Sequence, residues 1–257
     1  RELENRLGRL YETLKMPVGS LEALTGISER RWWEEGFTVS DGAIIAAKKA
    51  ISKCDFDVKD IGEVVYAGVC RDAYEPATAC KIAAAIGVSE DTDVYDLSNA
   101  CLGMMSAMVH IANRIELGQI RAGLVVACET AREINEATIK KMHDISTFGT
   151  SQTPIQLYLS SFATFTGGSG AAAVLLTDGS FNRVKMTRFV GSVSMNDSAQ
   201  HELCSWGVEK TESTAGRLYE PYMRTDGINL LSRGGELGGK TWEKFKRTLD
   251  WHEGSID

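Results

Sequence analysis

At 257 residues, 43% hydrophobic and 25% charged, the chain holds material for one large domain or two modest ones, which excludes disulfide miniproteins and disordered tails. No apolar run approaches the roughly 20 residues of a membrane span, so no transmembrane segment is predicted. The balance of 28 basic against 35 acidic residues, net −7 with no Lys/Arg-rich block, predicts no nucleic-acid partner. The chain opens at Arg1, without a Met or a signal-peptide profile, and is read as a fragment. Its six cysteines (Cys54, Cys70, Cys80, Cys101, Cys128, Cys204) show neither a Cys-x-x-Cys pair nor a close His. No metal site is predicted, and reduced thiols in a cytoplasmic setting are expected.

Leu3, Leu7, Leu10 and Leu14 recur at helical spacing and predict an amphipathic helix over 1–16, stopped by Pro17 and Gly19. A second helix is predicted from an N-cap at Ser40-Asp41 to Cys54, then a buried strand over Val64 to Val69. The same grammar gives helix Pro76 to Ile86, strand Val94 to Leu97, helix Cys101 to Leu117 and strand Ala122 to Ala127. Alternating helices and nearly all-apolar strands imply an α/β fold with a parallel sheet covered on both faces.

Beyond Thr130 the sequence predicts a polar helix to His143, a surface excursion over Ile145 to Ser161, and a strand over Ala171 to Leu176 behind the small-residue run Thr166 to Gly170. A strand over Arg183 to Val193, loops over 194–226 and a Gly-softened helix over Gly227 to Leu249 complete the reading. Phe56 to Ile61 and Trp251 to Ile256 share an aromatic and an isoleucine at the same spacing, as an internal repeat would.

Cys101 stands out by context. Asp96-Leu97-Ser98-Asn99-Ala100-Cys101-Leu102-Gly103 joins a short strand to an apolar helix, and the small residues Ala100, Gly103, Ser106 and Ala107 leave room for an acyl group. Open amides at a helix start favour a thiolate by about 0.3–1 kcal/mol, too little to activate a thiol alone, so a base or second donor is expected nearby. A buried structural cysteine is the competing reading. A hydrolase elbow would need a glycine two residues before the nucleophile, where Asn99 stands. The Gly167 to Gly170 run has no following Lys and is not a phosphate loop.

Together with Leu24-Thr25-Gly26-Ile27-Ser28-Glu29-Arg30 and the Gly167 to Leu176 segment, the Asp96 to Gly103 string resembles the thiolase-superfamily condensing enzymes of the β-ketoacyl-ACP synthase III type. Cys70 to Cys80 (CRDAYEPATAC) and Thr241-Trp242-Glu243 are most similar to the branch that joins two fatty acyl-CoAs head to head in bacterial olefin biosynthesis. The resemblance implies a thiolase-like layered αβαβα fold of two pseudo-symmetric halves, with residues 1–178 forming the nucleophile half and 179–257 the start of a second half incomplete in this chain. It also implies an acyltransferase, usually a homodimer, with Cys101 as acyl-accepting nucleophile and Glu75 reaching across the dimer to deprotonate the second substrate. Glu75 as a first-turn helix acid before Pro76 is the alternative.

The resemblance further implies acyl-CoA or acyl-carrier protein as substrate and no tightly bound cofactor. The tryptophan and arginine that clamp coenzyme A in acetyl-primed relatives are replaced by Ser20 and Leu24. The family's catalytic histidine and asparagine are expected beyond Asp257. His110 is read as a core or interface residue and His143, His201 and His252 as solvated. Met104, Met105 and Met108 suit either an acyl pocket or ordinary packing. Three functions therefore stand: non-decarboxylative Claisen condensation of two acyl-CoAs, decarboxylative synthase III chemistry of fatty acid biosynthesis, and a non-catalytic thiolase-like subunit.

Overall fold

In the computed structural model, which describes residues 2–143, 153–181, 187–213, 216–252 and 254, the N-terminal leucine stretch forms two helices, α1 (Glu2–Arg6) and α2 (Gly8–Leu14). The expected single helix breaks at Leu7, whose amide bonds three residues back to the Glu4 carbonyl rather than four. Next come α3 (Ser20–Thr25) and α4 (Val39–Ile51). The latter is capped by Thr38 in a reciprocal capping box with Asp41, two residues ahead of the predicted cap.

The apolar runs that follow become neighbouring strands. Strand β1 (Glu63–Tyr66) is followed by α5 (Thr78–Ile86), β2 (Asp93–Asp96), α6 (Gly103–Glu116) and β3 (Ala122–Glu129). Then come α7 (Arg132–His143), α8 (Pro154–Ser161), β4 (Gly170–Thr177), the pair β5 (Cys204–Ser213) and β6 (Gly216–Thr225), and α9 (Gly227–Leu249).

Contacts group the chain into two units, Arg1–Arg31 with Ala131–Gly168 and Val193–Asp257, and Trp32–Thr130 with Ser169–Ser192. The second holds a sheet of order β2-β1-β3-β4. β1 runs parallel to β2 and β3, but β4 pairs antiparallel with β3, Ala122 opposite Thr177 through Glu129 opposite Gly170. The sheet is therefore mixed, not all parallel as predicted, because an apolar run marks a strand without marking its direction.

Side-chain alternation along β1 and β3 builds a core on each face. Val64, Tyr66, Leu124 and Val126 meet Val39, Ala43 and Ala47 of α4 and Ala79 and Ile82 of α5. Val65, Ala67 and Val125 meet Ala107 and Ile111 of α6. Burying each of the larger aliphatic side chains contributes about 1.5–3 kcal/mol.

The other unit packs Leu7, Leu10, Tyr11 and Leu21 against Ile139, Met142, Leu157, Tyr158 and Phe165. Two expectations fail here. The excursion predicted up to Ser161 ends in α8, started by Pro154 and a Thr153–Gln156 capping box; residues 144–152 lie outside the described part. The loops predicted over 194–226 contain the β5–β6 hairpin, Cys204 opposite Thr225, with α7 and α8 against β6. Of the strand predicted over Arg183 to Val193, residues 183–186 lie outside the described part and 187–193 form no strand. Residues 253 and 255–257 lie outside it too, and with them part of the C-terminal copy of the suggested repeat.

Candidate active site

Cys101 lies where the sequence placed it, between β2 and α6, in a single 3-10 turn, Ala100–Leu102. Ala100 carries φ +44°, a left-handed conformation that a residue with a Cβ adopts only under constraint, and it turns the chain so that Cys101 is exposed. No side chain caps the amides at the start of α6. The Gly103 amide instead closes the turn on the Ala100 carbonyl. Asn99 is fixed from outside the turn, its Nδ2 donating to Ser106 Oγ at 2.7 Å.

Gly103 pins this turn to the sheet. A Cβ on it would collide with the carbonyl oxygen of Ala67, just past the end of β1. Only glycine lets the start of α6 approach the strand so closely.

Asp96 ends β2, and its carboxylate accepts from Arg71 Nη1 at 2.6 Å, the Thr78 amide at 3.0 Å and the Ala79 amide at 2.9 Å. The last two are open amides of α5, which Asp96 caps from a distance in sequence. Glu129 likewise holds the amides of Val69 at 2.7 Å and Cys70 at 3.0 Å. Asp72 accepts from Ser40 Oγ at 2.5 Å and from Lys81 Nζ at 2.7 Å, contacts that hold its carboxyl below the usual carboxylate range against the opposing effect of burial.

Between these anchors Ala73, Tyr74, Glu75 and Pro76 are exposed, Tyr74 almost completely at 96%. Glu75 is no first-turn helix acid, since α5 starts at Thr78. Among the described residues no hydrogen bond or ion pair links Glu75 to Cys101. Sequence reasoning missed Asp96, Arg71 and Glu129, whose partners are distant in sequence; only the Asp96-to-Cys101 string itself hinted at the first.

The remaining candidates settle simply. His110 is half exposed at the end of a polar cluster in which Glu63, fully buried, meets His110 Nε2 at 3.3 Å and Arg114 Nη1 at 3.0 Å. Tyr95 donates to the same carboxylate. His143 is not merely solvated, because its Nε2 meets the Arg6 carbonyl. Met104 and Met108 pack against the α6-side core while Met105 is exposed. Cys128 is buried, and desolvation pushes its thiol up to about 11, so it stays protonated and inert at neutral pH. Among the described residues no cluster of His, Cys, Asp and Glu could hold a metal ion, and no helix is long and apolar enough to cross a membrane.

An exposed cysteine on a strained strand-to-helix turn of a covered α/β sheet is the arrangement that a thiolase-like acyltransferase requires of its nucleophile. No model of a protein family matches the chain. It is 50% identical, over its whole length and 71% of the relative, to the acyl-CoA:acyl-CoA alkyltransferase of Shewanella oneidensis, and 29% identical to that of Xanthomonas campestris over 70% of the relative. The chain belongs to the acyl-CoA:acyl-CoA alkyltransferase family, known as OleA.

Its fold matches the crystal structure of Xanthomonas campestris OleA with bound lauric acid and lauroyl-CoA at a TM-score of 0.83 and 29% identity, covering 98% of this chain and 69% of that one. Solved variants of that enzyme replace a cysteine and, separately, a glutamate. The two positions are as far apart in sequence as Cys101 and Glu75. A β-ketoacyl-[acyl-carrier-protein] synthase III of Geobacillus kaustophilus is 34% identical over 44% of the chain.

Proposed function

We propose that this protein joins two fatty acyl-CoAs head to head by a non-decarboxylative Claisen condensation, with Cys101 as nucleophile and Glu75 as base. The Cys101 sulfur attacks the thioester carbonyl of the first acyl-CoA. Coenzyme A leaves as its thiolate, and the acyl group remains on the cysteine. The Glu75 carboxylate then takes a proton from the carbon next to the carbonyl of the second acyl-CoA. That carbanion attacks the acyl-cysteine carbonyl, the Cys101 thiolate leaves, and a β-ketoacyl-CoA is released.

The observation that carries the reading is the exposed Cys101, turned outward at Ala100, in a chain whose OleA relative has been altered at a cysteine and a glutamate of matching separation. A carbanion made without loss of carbon dioxide needs a base, and Glu75, an exposed carboxylate with no hydrogen bond or ion pair among the described residues, is suited to supply one. We propose that Glu75 does so in the site of a second copy, making the enzyme a homodimer, and that it needs no tightly bound cofactor. We further propose that residues 1–178 form the nucleophile half and that the protein is cytoplasmic, which its six cysteines, none of them in a disulfide, favour. Decarboxylative condensation with a carrier-protein substrate is less supported, since synthase III likeness spans only part of the chain.

Replacing Glu75 with alanine tests the reading. Glu75→Ala is expected to abolish β-keto product while Cys101 still takes up an acyl group from acyl-CoA. Condensation at the wild-type rate would refute Glu75 as the base.

A further inference from the structure

We infer that Asp96, through Arg71, is a positioning residue that fixes the Glu75-bearing segment to the end of β2 and so sets where Glu75 reaches in the site of the second copy. The inference rests on the functional reading above. It goes beyond that reading in assigning a task to two residues that touch no reacting atom.

Ala73 to Pro76 are exposed, and none of the anchoring contacts around them involves these four residues. What fixes the position of Glu75 must therefore act on the flanks of this segment. On one flank Arg71 donates to Asp96 at 2.6 Å; on the other Thr78 and Ala79 donate to the same carboxylate at 3.0 and 2.9 Å. One side chain thus holds both ends of the segment. Asp96 is itself buried, at 7% side-chain exposure, and lies at the end of a paired strand, five residues before the nucleophile. Arg71 is 28% exposed, so the ion pair is shielded from water and stronger than a surface pair. Glu129, through the Val69 and Cys70 amides, and Asp72, through Ser40 and Lys81, steady the chain before Ala73 without reaching β2, whereas Arg71 ties that flank to the strand leading to Cys101.

The arrangement separates two steps. Acylation needs Cys101 and its turn, which Arg71 does not touch. Condensation needs Glu75 at its proper place, and a displacement near 1 Å is enough to cost a proton transfer roughly 100-fold.

The test uses the full-length protein with Arg71→Met, which keeps the packed stem and removes the donor, beside Arg71→Lys and Glu75→Ala. Acyl-Cys101 formation is followed by intact-protein mass spectrometry and β-keto product by chromatography. The expected result is a fall in condensation of at least ~10-fold in Arg71→Met, wild-type acylation, and substantial recovery of condensation in Arg71→Lys. Wild-type condensation in Arg71→Met, or acylation and condensation falling together, would overturn the inference. Full condensation in Glu75→Ala would instead overturn the functional reading, so the two failures are distinct. Should Arg71→Met lose the wild-type unfolding transition, Arg71→Gln takes its place and the same outcomes decide.

Discussion

Gly103 and Ala67 meet backbone to backbone, with no room for even a methyl group between the first residue of α6 and the carbonyl oxygen beyond β1. The contact sets the height of the Cys101 turn above the sheet. Gly103→Ala must push α6 outward, at a cost of about 1–3 kcal/mol. It is expected to lower thermal stability and to slow acylation of Cys101 together. Unchanged acylation in a folded Gly103→Ala protein would show that the turn does not depend on this approach.

Glu4 gives a pH dependence. Burial opposes its charge, but the Leu21 amide, the Tyr11 hydroxyl and the Gly19 amide outweigh that and hold its carboxyl below the ordinary 4.5. A carboxyl depressed on folding contributes stability that is fully present above the unfolded value and is lost as the pH falls through the folded one. The wild type is therefore expected to lose stability on acidification below about 4.5. Glu4→Gln should be weaker by about 1–3 kcal/mol at neutral pH and flatter across the acid range. Denaturant midpoints measured from neutral pH downward check this; parallel profiles for the two proteins would count against it.

A third expectation concerns Glu63, whose carboxylate is fully buried and held by Arg114 at 3.0 Å. Arg114 also bonds Asp93 at 2.7 Å, so one guanidinium joins β1, β2 and α6. Removing it in Arg114→Met leaves a buried charge with Tyr95 and His110 alone, and is expected to destabilise the protein by about 3–5 kcal/mol. A double change that also neutralises the acid, Arg114→Met with Glu63→Leu, should recover much of the loss. Calorimetric unfolding of the three proteins measures both effects, and equal stability of the single and double variants would contradict the account.

The sheet-and-helix core was legible because its signals are local. Apolar runs such as Ala122 to Ala127 announce strands, and the string from Asp96 to Gly103 announces a strand-turn-helix junction with a cysteine at the turn. The β5–β6 hairpin was not legible, since Pro221 sits inside β6 and charged residues such as Glu209 and Lys210 crowd β5. Helix α8 could have been found: Thr153-Pro154-Ile155-Gln156 is a capping box with proline at the first helical position. The direction of β4 and the bonds of Asp96 and Glu129 depend on which distant segments meet, a property of the folded chain. Cys101 and Glu75 could be singled out as candidates because one lies in a distinctive turn and the other in a distinctive string. Their supporting residues carried no comparable mark.

Every step proposed above depends on Cys101 taking up the acyl group. The direct measurement is peptide-resolved mass spectrometry of the full-length protein after brief incubation with a fatty acyl-CoA, beside Cys101→Ala and Glu75→Ala. The account predicts one acyl group on Cys101 in the wild type and in Glu75→Ala, none in Cys101→Ala, and none on buried Cys128 in any of them. An acyl group that persists in Cys101→Ala, or no adduct on Cys101 in the wild type, would contradict it.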